Sequence, residues 1–170
     1  MIPKNKYNIL PGNVVEIILT QGQMCLIDLE DLPLLGQYRW CAHRHKHTWY
    51  AVTSSGSRPY RTTISMHNIL MGVGKRVDHR NGNGLDNRRQ NLRRASQAQN
   101  TWNRKPLEGK ASKYKGVHTS YKPGFWRARI MHEGKVYNLG EFDNEYDAAK
   151  AYNTAAIKFF GEFAKLNSAL

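Results

Sequence analysis

Acidic residues are scarce in this chain of 170 residues. Asp and Glu total 13 against 26 Lys and Arg, which leaves a formal net charge of +13 at pH 7. A folded chain so basic repels itself, and a polyanion relieves the repulsion. Nucleic acid is therefore the leading partner and an anionic membrane surface the second. Cysteine is nearly absent as well: Cys25 and Cys41 are too few for a disulfide framework and fit a reducing compartment, with one disulfide left open. No run approaches the roughly 18 apolar residues that a membrane span needs. The opening Met1-Ile2-Pro3-Lys4-Asn5-Lys6 has no apolar stretch behind its lysines, so no signal peptide is expected. The chain does have 40% apolar and 11% aromatic residues, too many for a disordered basic tail. It is long enough for one domain or for two or three small ones.

The charge is unevenly placed. Residues 61–112 hold 11 basic and 3 acidic groups, most of the excess, and this middle third should lie against the polyanion. Before it, Val14 to Thr20 and Met24 to Ile27 are predicted strands around a turn at Gln21-Gly22-Gln23. A short helix interrupted at Pro33 is expected over 28–35. A hairpin follows over 39–47 and 48–54, then a strand over 61–65 and a helix over 66–71 ended by Gly72 and Gly74. Residues 107–112, small, polar and non-periodic after Pro106, are the expected linker.

The centre of the charged segment carries the chemistry. Asn81-Gly82 and Asn83-Gly84 are turn signals, because Asn and Gly tolerate positive φ. Ser96-Gln97-Ala98-Gln99 has the form of a capping box, so a helix should start near Gln97 and stop before Pro106. Asn100 and Asn103, three apart, share a face of that helix. Phosphodiester hydrolysis needs a base for water, a cation to stabilise developing charge and donors to hold phosphate. His79 suits the base, since an imidazole titrates near neutrality. Asp78 and Asn100 offer oxygen ligands for a hard cation, Mg²⁺ or Mn²⁺. Arg80, Arg88, Arg89, Arg93 and Arg94 are candidates for holding phosphates.

Asp78-His79, Asp86-Asn87-x-x-x-Asn91-Leu92 and Gln99-Asn100-x-x-Asn103 together resemble the HNH motif of phage and intron homing endonucleases. The resemblance implies a β-β-α-metal module over 61–106. It makes His79 the general base, Asp78 the metal-binding carboxylate and Asn91 the asparagine that bridges the loop and orients His79. Asn100 matches a third position where many members have histidine. An amide oxygen there favours Mg²⁺ or Mn²⁺ over a nitrogen-preferring metal such as Zn²⁺. Asn103 and His67 are candidates for touching metal or phosphate. Asp86 and Asn87 are expected to brace the loop. A bacterial or phage-infected cytoplasm is the expected location.

In the last third, Trp126, Ala128 and Ile130 alternate with Arg127 and Arg129, which puts both arginines on one sheet face. Turns at Pro123-Gly124 and Glu133-Gly134-Lys135 divide the stretch into three strands. Asn144 is the predicted cap of a following helix, with Ala148, Tyr152, Ala155 and Phe159 on its packing stripe. The free sheet face should carry Arg127, Arg129, Lys115, His118 and Ser120, suited to a DNA groove. Tyr114-Lys115-Gly116-Val117, Trp126-Arg127-Ala128-Arg129-Ile130, Leu139-Gly140-Glu141-Phe142-Asp143 and Ala148-Ala149-x-Ala151-Tyr152 resemble the ethylene-response-factor (apetala-type) DNA-binding domain. The resemblance covers about 55 residues and implies a sheet that reads double-stranded DNA.

Cys41, His43, His45 and His47 alternate on one strand and invite a zinc reading. Structural zinc uses paired ligand motifs absent here, and successive i, i+2 side chains lie about 6–7 Å apart, too far to converge on one ion.

The expected fold is therefore α+β: a β-rich segment over 1–60, a nuclease module over 61–106, a linker over 107–112, and a three-stranded antiparallel sheet packed on one helix over 113–170. The expected function is sequence-directed DNA cleavage of homing type, with one centre per chain leaning towards a nick unless the protein dimerises. The alternative is a non-catalytic, sequence-specific DNA-binding regulator. No membrane and no obligate protein partner are expected. Monomer and homodimer both stay open.

Overall fold

The computed structural model describes residues 4–45, 48–57, 59–74, 76–106, 109 and 111–168. It is an α+β arrangement of small antiparallel sheets and few helices, divided into two compact units, Met1–Gln97 and Ala98–Leu170.

The first unit opens with β1 (Tyr7–Leu10), β2 (Val14–Ile18) and β3 (Met24–Asp28), paired in chain order. Period-two alternation sends Val15 and Ile17 of β2, and Cys25 and Ile27 of β3, into the core. A 3-10 turn over Leu29–Asp31 leads into α1 (Leu32–Leu35). Pro33 sits in the first turn of α1, where its missing N–H would be unpaired in any case. The expected hairpin is present as β4 (Cys41–His45) and β5 (Thr48–Ser55), joined by β6 (Thr62–Ser65). His47 lies outside the described residues. Ala42, Ala51 and Thr53 face the core from this sheet. α2 (Met66–Met71) buries Met66 and Leu70, four apart on one face, and ends at Gly72 with φ 94°.

β7 (Val77–His79) and β8 (Leu92–Arg94) then pair antiparallel, with His79 opposite Leu92 and Asp78 opposite Arg93. Both sheets and this pair share one core around Trp40, whose indole N–H donates to the Leu35 carbonyl at 2.9 Å. α3 (Gln97–Trp102) starts where the capping signature predicts.

The second unit holds β9 (Val117–Thr119), β10 (Trp126–His132) and β11 (Lys135–Phe142) in consecutive order, packed on α4 (Glu145–Phe160). Asn144 caps α4: its Oδ1 accepts from the Asp147 backbone N–H at 2.8 Å. The buried face of α4 is Ala148, Ala149, Tyr152, Ala156 and Phe160, not the stripe ending in Ala155 and Phe159. The i+4 series wins because it runs straight up the face that meets β10, leaving Phe159 beside His132 and Tyr137 at its margin. Tyr152 packs against Gly116, where a Cβ would stand 1.9 Å from Tyr152 Cδ2 and where φ is +76°. Glycine is required at that position on both counts. Trp102, at the end of α3, stacks on Phe160 with ring centroids 4.6 Å apart. The sequence pattern carried no sign of that contact. Of the expected linker, Leu107, Glu108 and Lys110 lie outside the described residues.

Candidate functional site

The loop between β7 and β8 is built from its own asparagines. Asn91 Oδ1 accepts from the Asn81 backbone N–H at 3.0 Å, and its amide donates to Asp86 O at 2.7 Å and to Asn81 Oδ1 at 3.1 Å. One side chain thus ties both limbs of the loop. The loop is also tied to β3: Leu26 N–H donates to Leu85 O, and Asn87 N–H donates to Leu26 O at 2.8 Å. These bonds satisfy backbone groups that an irregular buried segment would otherwise leave unpaired.

His79 is buried at the end of β7. Asn87, with no exposed surface, places its Oδ1 3.3 Å from His79 Nε2. The Asn87 amide nitrogen faces Cys25 Sγ and the Gly84 carbonyl, so its oxygen is the side turned to the imidazole. His79 Nε2 then carries the proton of the neutral ring and Nδ1 carries the lone pair. Burial lowers the pKa of His79, opposed by the Asn87 hydrogen bond and by the charges of Asp78 and Asp86. His67, from the first turn of α2, stands edge-on to His79 with centroids 5.1 Å apart. Burial, then the charge of His79, push its pKa down to about 4.

The arginines separate into two groups. Arg93 Nε and Nη2 both donate to Asp78 Oδ2, at 2.9 and 2.7 Å, in a buried pair. Arg88 forks onto Asp86 at 2.8 and 2.7 Å. Burial works to raise the Asp86 carboxyl, but Arg88's hydrogen bonds and charge prevail and hold it below the ordinary carboxylate value. Arg89 forks onto Asp31, and its backbone N–H donates to Asp28 at 2.7 Å. The sequence reading set all five arginines on phosphate; in the structure Arg88, Arg89 and Arg93 hold carboxylates of their own unit. Arg80 and Arg94 are exposed.

Asn100 belongs to the second unit, as does Asn103, which is buried. The Asn100 Oδ1 is buried and has no hydrogen-bond partner among the described residues. A buried, unpartnered amide oxygen is costly unless something accepts its lone pairs, and a hard cation does so. Among the described residues no group of three or more His, Cys, Asp or Glu stands where it could hold a metal ion.

On the sheet of the second unit, His118 lies opposite Arg127, and Arg127 opposite Glu141. Arg127 and Arg129 share the face away from α4, as the alternation requires. Tyr121 lies under the Arg127 guanidinium at 4.8 Å, and Arg127 Nε is buried without a hydrogen-bond partner. Ser120 donates its hydroxyl to Glu141. Lys115 departs from the expected face: its ammonium caps the carbonyls of Trp102 and Arg104 at the end of α3. Burial, with Lys165 and Arg104 nearby, pushes its pKa down to about 8. Glu141 and Tyr121 are the residues the sequence reading missed here. Strand register alone shows the first; the second sits in a turn with no periodic signal.

No family model matches the chain. Protein 3.8 of Escherichia phage T7 is 34% identical over 92 residues, covering 54% of this chain and 75% of that protein. An uncharacterised HNH endonuclease of Acanthamoeba polyphaga mimivirus is 26% identical over 155 residues, 86% of this chain and 76% of that protein. The chain belongs to the HNH endonuclease family. Its likeness to the plant factors is partial. The AP2-like ethylene-responsive transcription factor TOE2 of Arabidopsis thaliana is 41% identical over 64 residues, 38% of this chain but only 13% of that protein. This HNH family member therefore carries an AP2-like region. Among its described residues no helix is long and apolar enough to cross a membrane.

Proposed function

We propose that this HNH family member is a sequence-directed DNA endonuclease of homing type, working by metal-dependent phosphodiester hydrolysis. The observation that carries the reading is the stapled loop that presents His79: Asn91 ties its two limbs, and Asn87 Oδ1 meets His79 Nε2. In this reading His79 Nδ1 takes the proton of the attacking water. Asn91 and Asn87 hold the imidazole so that no ring reorientation is needed as the proton moves. Asp78 and Asn100 are the proposed ligands of Mg²⁺ or Mn²⁺; their donors are oxygens, and the orphaned Asn100 Oδ1 fits a hard cation. That ion, when bound, stabilises charge on the phosphate and on the leaving 3′ oxygen. Arg80 and Arg94, exposed, are the proposed holders of backbone phosphate, and Asn103 and His67 are proposed to touch metal or phosphate.

The proposed division of labour sets the nuclease module at 61–106 and the DNA-reading region at 113–170. Arg127, Arg129, His118 and Ser120 are its proposed contacts on double-stranded DNA. Both cysteines are free thiols, in keeping with a reducing cytoplasm as the proposed setting.

The test is relaxation of supercoiled plasmid with Mg²⁺ or Mn²⁺. Wild-type protein should cut and His79→Ala should lose at least about a hundredfold in rate, the usual scale of a general base. Tight DNA binding without cutting in either metal would leave the AP2-like region as the whole function and make the protein a non-catalytic regulator.

A further inference from the structure

The open face of the three-stranded sheet holds two opposite charges that do not meet. Strand register sets Glu141 of β11 directly opposite Arg127 of β10. Side chains so paired project from one face within reach of each other, and opposite charges there attract. The Glu141 carboxylate nevertheless accepts from the Ser120 hydroxyl. Arg127 Nε has no hydrogen-bond partner, and no carboxylate among the described residues pairs with its guanidinium. This sets Arg127 apart from Arg88, Arg89 and Arg93, each of which forks onto a carboxylate.

The turn between β9 and β10 shows what holds Arg127 instead. Ser120 N–H donates to the Phe125 carbonyl at 2.9 Å, and Phe125 N–H donates to the Lys122 carbonyl at 3.1 Å. The Lys122 backbone N–H donates to Ser120 Oγ at 3.2 Å, so one hydroxyl both braces the turn and engages Glu141. Between those anchors stands Tyr121, 89% exposed and in neither core cluster of this unit. Its ring meets the Arg127 guanidinium, with Cζ 4.8 Å from the ring centroid. The tyrosine thus packs on a cation rather than on a core.

A guanidinium is a flat fork of donors. Besides carboxylate and phosphate, it matches the O6 and N7 of guanine in the major groove. A phosphate contact fixes position and carries no sequence information, whereas base readout depends on the pose of the fork. An arginine that is left without a carboxylate and steadied by an aromatic ring suits the second task.

We propose that Arg127 reads a guanine in double-stranded DNA, with Tyr121 as its positioning residue and Ser120 as the group that keeps Glu141 off the fork. The inference rests on the DNA-reading role proposed above for residues 113–170. Glu141 is the carboxylate that register brings nearest, and pairing with it would take the fork away from DNA. The Ser120 hydroxyl competes for that carboxylate and leaves the fork open.

The experiment uses the full chain without divalent metal, so that bound DNA stays whole. The protein selects duplexes from a random-sequence library, and anisotropy then measures its affinity for the selected duplex and for variants at each guanine. Wild type should prefer guanine at one position by roughly 10- to 100-fold, the scale of a bidentate pair. Arg127→Lys keeps the charge and loses the fork. It should lose that preference at that position alone and keep the slope of log affinity against log salt. Tyr121→Ala should lower the preference about threefold or more, and Tyr121→Phe should restore it. Ser120→Ala should lower it by releasing Glu141, and adding Glu141→Gln should bring it back. A selected site without guanine, or a wild-type preference in Arg127→Lys, overturns the proposal. So does equal weakening of Arg127→Lys on every sequence, which would make Arg127 a phosphate contact. Wild-type selectivity in Tyr121→Ala or Ser120→Ala overturns the part given to that residue. In all these outcomes wild type still selects a site, and the DNA-reading role stands. No sequence preference in wild type overturns that role and this inference with it.

Discussion

Arg93 and Arg94 are adjacent on β8, and they serve different ends. Strand alternation turns one inward and the other outward. Arg93 neutralises Asp78 in a buried pair whose side chains are 6% and 10% exposed. Removing one partner of such a pair strands the other charge away from water, so Arg93→Ala should destabilise the protein by about 3–5 kcal/mol. Denaturant unfolding measures that loss. Arg94→Ala should stay within about 0.5 kcal/mol of wild type in the same assay. The second residue-scale expectation concerns pH. The His67 pKa falls from the ordinary 6.5 to about 4 in the fold. Between those values the unfolded chain binds a proton that the native state does not. Stability from this group is thus complete above pH 6.5 and is lost as pH falls towards 4. The melting temperature should drop between pH 7 and pH 4.5, and His67→Phe should drop less. The types of residue at the site were legible in the sequence because their order and spacing are distinctive. Their partners were not: nothing in Arg93-Arg94 says which one meets a carboxylate until the strand pairing is set.

At the scale of elements, periodicity served well where strands are bounded by turns. β2, β3, β4, β5 and α2 lie within a residue or two of expectation, and Gly or Asn punctuates β2, β3 and α2. α4 shows where periodicity stops. Both the Ala155–Phe159 and Ala156–Phe160 series are apolar, and the choice depends on how the helix lies across β10. On that face Tyr152 packs against Gly116. Gly116→Ala meets two penalties together, a positive φ and a Cβ inside the Tyr152 ring. It should cost about 3 kcal/mol or more, the scale of overpacking plus backbone strain. The check is loss of the near-ultraviolet aromatic signal at a lower denaturant midpoint.

Over the whole molecule, the net +13 predicts salt-dependent DNA binding. The ion pairs refine which charges take part. Arg94→Ala should weaken binding about equally on all sequences and reduce the slope of log affinity against log salt by about 1. Arg88→Ala and Arg89→Ala should leave the slope nearly unchanged, because those cations already meet carboxylates. Anisotropy titrations across a salt series measure both. Composition pointed to a polyanion as the partner. Motif order determined the candidate base, carboxylate and loop asparagine, since such chemistry needs few residue types at tight spacing. Strand period determined that Arg127 and Arg129 share a face. Tertiary structure alone decided which arginines are neutralised, that Glu141 sits opposite Arg127, and that Tyr50 and His67 enclose His79. Apart from Arg88, which meets Asp86 two residues away, these depend on side chains distant in sequence, and such meetings are set by the register and packing of whole strands, which no local pattern encodes.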